Sequence, residues 1–140
     1  MFSDICDEIA IENVTKANNE VDYSDIIQKN NKLIVTGEHE INRVHVCPYP
    51  FYMLTINADG NVSACCQAIN KAFLVGNVRQ ESLNQIWNNQ RINELRIFQL
   101  KHTRFKHGIC RDCDSLDYAV PVSDLLDDQV EHLLGYYINK

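Results

Sequence analysis

Two cysteines separated by two residues, Cys110 and Cys113 in the run KHTRFKHGICRDCDS, constrain this chain more than any other feature. A two-residue gap in a tight, polar, glycine-containing loop lets both thiolates turn toward one ion, the knuckle of zinc and iron–sulfur sites. A fold built around such a loop has to bring further ligands to it. The chain carries six cysteines in 140 residues, too sparse for a disulfide scaffold. No segment approaches the roughly 18 consecutive apolar residues of a membrane span. The opening MFSDICDEIAIENV has acids where a signal peptide needs positive charge. The expectation is a cytoplasmic protein with no membrane partner, where thiols serve metal or redox chemistry rather than disulfides. A net charge of −6 with scattered basic residues argues against a nucleic-acid partner.

Patterning predicts an α+β fold in three parts. Residues 1–42 are a strand and linker. Alternation around Ile9 and Ile11 predicts a short strand over 7–15, residues 22–30 predict one or two helical turns, and the remainder to residue 42 is connector. Residues 43–115 carry the sharper signals. RVHV and FYMLTIN are β-branched and aromatic, with Pro48 and Pro50 imposing an edge or bend between them. ADGN predicts a hairpin turn in which Gly60 takes positive φ. VSACC is the returning strand, paired so that residues 54 and 53 face 65 and 66. AFLVGNV predicts a further short strand broken at Gly76. ESLNQIWNN predicts a helix with Leu83, Ile86 and Trp87 on one face, continued through Ile92, Leu95 and Phe98 after a kink at Asn88–Asn89. Residues 116–140 predict a C-terminal amphipathic helix, capped by Ser123 and apolar along Leu125, Leu126, Val130, Leu133, Leu134 and Tyr137.

The second pair of thiols comes from Cys47 and from the Cys65–Cys66 dipeptide. Successive side chains on a strand face opposite ways, so only one of Cys65 and Cys66 points at a given site unless a bulge or strand end intervenes. Cys6 reads as a small core residue. His45 and His107 lie near the cysteines in sequence and are read as surface or core histidines rather than ligands. Trp87 reads as core. Asp112 and Asp114 read as solvated turn residues, able to act on a bound cluster only from its surroundings.

Cys47, twelve residues, Gly60, four residues and Cys65 resemble the opening of the SPASM motif. SPASM domains are C-terminal extensions of radical S-adenosylmethionine (radical SAM) enzymes that hold auxiliary [4Fe–4S] clusters. CPYPFYMLTINADGNVSACC, then GNV followed by ESLNQIWNNQRINELR, then CRDC, keep the family's order over roughly residues 43–115. The resemblance implies an auxiliary [4Fe–4S] cluster held by Cys47, Cys65, Cys110 and Cys113. It favours Cys65 over Cys66 through the Gly-x4-Cys spacing. No cysteine follows Cys113, so the set suffices for one four-thiolate cluster, as in single-cluster variants. The C-x3-C-x2-C motif that binds the SAM-cleaving cluster is absent from these 140 residues, so no complete catalytic site is expected in this chain. By the same resemblance, residues 1–42 look like the end of a radical SAM barrel. The implied partner is such a barrel, in a longer parent chain or in trans, with the cluster supporting electron transfer or substrate positioning. Two other readings fit the thiols: a structural zinc module in which the four cysteines bind Zn2+ without redox chemistry, and a metal-free interaction module whose cysteines are core.

Overall fold

The computed structural model describes residues 44–66, 73–111, 113, 115–117, 120 and 122–140. Cys6, the expected strand over 7–15, the helical turns over 22–30 and the connector to residue 42 lie outside the described residues, as do Asp112 and Asp114. Three short strands, β1 (Thr55–Ile56), β2 (Asn61–Ser63) and β3 (Leu74–Asn77), form one antiparallel sheet in the order β1-β2-β3. Among the described residues the α-helices are α1 (Tyr49–Tyr52), α2 (Leu83–Asn88), α3 (Gln90–Leu100), α4 (Gly108–Arg111) and α5 (Val130–Ile138). The α+β class read from the sequence holds.

The hairpin between β1 and β2 forms at the expected place. Gly60 adopts φ +87° and its N–H donates to Asn57 O at 2.8 Å, while Asn57 N–H donates to Asn61 O at 2.8 Å. The Asp59 carboxylate accepts from the backbone and side-chain nitrogens of Asn61 at 3.0 and 2.9 Å, holding the turn from inside. These bonds enclose a three-residue loop, Ala58 to Gly60, with glycine in the left-handed bulge position. The register therefore differs by one from the expectation: Thr55 faces Ser63 and Ile56 faces Val62. β2 ends at Ser63, and its pairing with β3 is irregular between Val62 and Ser63. Strand alternation does not extend to Cys65 and Cys66.

A second correction concerns FYMLTIN. Tyr49–Tyr52 is one turn of helix, not strand. Pro48 takes a right-handed helical conformation (φ −80°, ψ −19°) at its start, and Pro50 sits in the first turn. A prolyl ring presets a helical φ where the missing N–H has no helical partner to lose. Met53 returns to extended backbone, so the strand is confined to Thr55–Ile56.

α2 opens with a capping box: Gln85 N–H donates to Ser82 Oγ at 3.3 Å and Ser82 N–H donates to Gln85 Oε1 at 2.8 Å. The expected kink at Asn88–Asn89 is a full break. Asn89 ends α2 and caps α3, its Oδ1 accepting from Ile92 N–H at 3.1 Å while its Nδ2 donates to Val75 O at 2.6 Å. α3 buries Ile92, Leu95, Arg96, Gln99 and Leu100, one helical stripe with two polar members. The C-terminal helix starts at Val130, later than expected, after 3-10 turns at Val122–Asp124 and Asp127–Gln129. Ser123 Oγ bonds Asp124 Oδ1, and Asp127 Oδ1 accepts from His45 N–H, so these side chains serve local and distant turns instead of a helix cap.

Two cores result. One, under the sheet and α2–α3, contains Val62, Ala64, Val75, Ile86, Ile92 and Leu95. The other contains Val44, Tyr49, Leu116 and Val120, with Cys47, Met53 and Leu125 against it. Of the thiols, Cys47 packs against the second.

Candidate metal centre

The sequence delivers cysteines from three segments. Cys47 lies between buried Val46 and buried Pro48, at the entry to α1. Cys65 follows the end of β2. Cys110 lies in the single turn of α4 and Cys113 just after it. All four are half-buried, and none is in a disulfide.

The other three thiols lie within electrostatic reach of Cys47. Burial pushes the Cys47 thiol up to about 12, the Tyr49 backbone hydrogen bond works against that rise, and charge on Cys65, Cys113 and Cys110 adds to it. Burial also raises the Cys110 thiol; the Gln99 hydrogen bond opposes this, Cys113 adds to it, and Arg104 opposes it. Ionising Cys47 or Cys110 is unfavourable because each is desolvated, and charge on the neighbouring thiols adds to the cost. Bound cationic metal reverses both effects, so the donor set fits a metal held by thiolates. Among the described residues no group of three or more Cys, His, Asp or Glu side chains is gathered so as to hold a metal ion. The thiols thus share one electrostatic neighbourhood without converging on a single point.

Cys66 is exposed, and its charge, like that of Cys47, acts on the Tyr49 and Tyr52 hydroxyls, both raised first by burial, Tyr52 to about 12. His45 donates its backbone N–H to Asp127 and meets His102 edge-on at 5.9 Å. His107 lies against Phe73 with ring centroids 4.3 Å apart, its buried Nδ1 without a hydrogen-bond partner. Trp87 packs against the first core, as expected.

Two residues that the sequence reading passed over organise the thiol segments. Gln99, on the buried stripe of α3, accepts from Cys47 N–H through Oε1 at 3.4 Å and donates to Cys110 Sγ through Nε2 at 3.6 Å. Arg104 spreads its guanidinium over three carbonyls: Cys110 O at 2.9 Å, Cys113 O at 3.0 Å and Val44 O at 3.2 Å. Its five donors in a rigid fork suit this convergence. A polar residue in register with Ile92 and Leu95 on a buried helix face was the available signal for Gln99. Arg104 had none, because its partners are main-chain atoms.

The resemblance read from the sequence holds. Residues 47–114 match the model of the SPASM family, described as an iron–sulfur cluster-binding domain. The chain is 23% identical over 115 residues to the S-adenosyl-L-methionine-dependent 2-deoxy-scyllo-inosamine dehydrogenase of Niallia circulans, a match covering 81% of this chain and 44% of the relative. The chain therefore spans less than half the length of that curated relative. No solved structure matches it. No helix among the described residues is long and apolar enough to cross a membrane.

Proposed function

Starting from a SPASM-type iron–sulfur cluster-binding segment at residues 47–114, we propose that Cys47, Cys65, Cys110 and Cys113 hold one [4Fe–4S] cluster. The chain then works as the auxiliary-cluster part of a radical SAM-type enzyme in the cytoplasm. The observation that carries the reading is that charge on Cys65, Cys113 and Cys110 all reaches the buried Cys47 thiol.

When bound, such a cluster supplies a one-electron donor or acceptor. The chain's own residues hold the thiols, screen them from water and fix the loop through Arg104 and Gln99. With a protein thiolate on every iron no site is left for direct substrate ligation, which favours electron transfer over substrate positioning. The SAM-cleaving barrel is supplied by a longer parent chain or in trans. The similarity to a SAM-dependent dehydrogenase over 44% of that protein supports this class of partner.

The test is anaerobic purification with iron, sulfide and zinc quantified beside a visible spectrum, for the parent chain and for Cys65→Ser and Cys66→Ser. About four irons and four sulfides per chain are expected in the parent, with loss in Cys65→Ser and retention in Cys66→Ser. One zinc without sulfide, persisting after anaerobic reconstitution, replaces the reading with a structural zinc module. Loss in Cys66→Ser alone reverses the ligand assignment.

A further inference from the structure

Gln99 bonds two of the cysteines themselves, the Cys47 main chain and the Cys110 sulfur. It is 2% exposed, on a helix that contributes no cysteine of its own. Its amide is used at both ends: the oxygen accepts from the Cys47 main chain and the nitrogen donates to the Cys110 sulfur. A glutamine buried to this degree costs stability unless its polar atoms are satisfied, and here both bonds go to the thiol site. An N–H aimed at a thiolate sulfur stabilises negative charge there. A cluster gains one electron, hence one negative charge, on reduction, so the donor favours the reduced form more than the oxidised one.

We propose that Gln99 is a positioning residue for the cluster, which fixes the distance between the Cys47 and Cys110 segments and raises the cluster's reduction potential through its hydrogen bond to Cys110. This rests on the cluster reading given above. The two variants separate the two parts. Gln99→Leu removes both bonds. Gln99→Glu keeps an oxygen to accept from Cys47 N–H and replaces the donor facing sulfur with a second oxygen.

The experiment is a reductive titration of the reconstituted full chain, followed by visible and paramagnetic-resonance spectra, in the parent and both variants. The reduced-to-oxidised ratio at a fixed ambient potential is expected to fall about tenfold in each variant, which for one electron is ~59 mV more negative. An unchanged potential in the loaded fraction of the variants overturns the proposal, even where cluster content falls, because a merely structural glutamine alters content and not potential. If Gln99→Leu loads no iron, Gln99→Glu decides. If neither loads but both keep the parent's circular dichroism, the positioning role is supported; if both unfold, Gln99 serves the fold and the proposal fails. A parent chain that takes no cluster removes the underlying reading first, and the proposal with it; that failure is visible before any variant is compared.

Discussion

The Cys47 thiol lies inside the protein with three other thiols in electrostatic reach, and burial pushes its pKa from 9.0 up to about 12. Between those values the unfolded chain has released a proton that the folded, metal-free chain still holds. Stability of the metal-free protein is therefore complete below about pH 9 and declines as pH rises toward 12. Burial of Tyr52, also raised to about 12, pushes the same way. Urea midpoints measured on metal-free protein at about pH 8 and about pH 10.5 should differ, and Cys47→Ser should shrink the difference without removing it. An identical pH slope in Cys47→Ser would mean that the thiol is not desolvated. At this scale the resemblance to an iron–sulfur cluster-binding family was legible because cysteine spacing is a one-dimensional signal. Gln99 and Arg104 were not, because their meaning depends on which segments the fold brings beside them.

Gly76 decides how α2 lies on the sheet. A Cβ built there would stand 2.7 Å from Ile86 Cγ1, inside any real contact. The helix packs so closely on β3 that only a hydrogen fits between them, and Asn89 fastens the same place by donating to Val75 O. Gly76→Ala is expected to destabilise the fold by about 1–3 kcal/mol through overpacking. In an Ile86→Ala background, where that carbon is gone, the same substitution should cost measurably less. Denaturant midpoints of the four proteins check this; full additivity would show that Gly76 and Ile86 do not meet. The sequence reading saw Gly76 as a break in a strand and missed its packing role. Other elements divide the same way. The hairpin and the α2–α3 stripe from Ile86 to Phe98 were legible because turn chemistry and helical period are local, while Leu83, expected on the same face, is exposed at the start of α2. The register slipped by one because a three-residue and a two-residue loop share the same Asp59–Gly60 signal. The turn of helix at Tyr49–Tyr52 was hidden by aromatic residues that favour strands in general, while Pro48 and Pro50 favoured a helical start in particular.

Across the whole molecule the two cores are unequal in their sources of cohesion. The core of Val62, Ala64, Val75, Ile86, Ile92 and Leu95 rests on strand pairing, the capping box and the Asn89 cap, none of which needs a metal. The core of Val44, Tyr49, Leu116 and Val120 joins segments about 70 residues apart in sequence with few main-chain ladders between them. Its cross-links are Arg104 to three carbonyls, Asp127 to His45, and Gln99 to Cys47. Metal bound to Cys47, Cys110 and Cys113 would close the same long loop that Arg104 closes, and its binding energy would appear mainly as folding energy of this half, with Cys65 tying it to the end of β2. Removing the cluster should accordingly loosen residues 44–53 and 108–111 and leave the hairpin turn, α2 and most of α3 intact. Amide hydrogen exchange on loaded and chelator-stripped protein can separate the two halves. Faster exchange is expected at Phe51 and Met53, whose N–H groups bond Pro48 O and Tyr49 O, with little change at Ile86 and Asn93. Uniform acceleration would instead make the protein a single cooperative unit that depends on its metal throughout. Arg104→Lys extends the comparison, since a lysine cannot span three carbonyls: it should speed exchange in the same half of the loaded protein while the α2–α3 half keeps its protection.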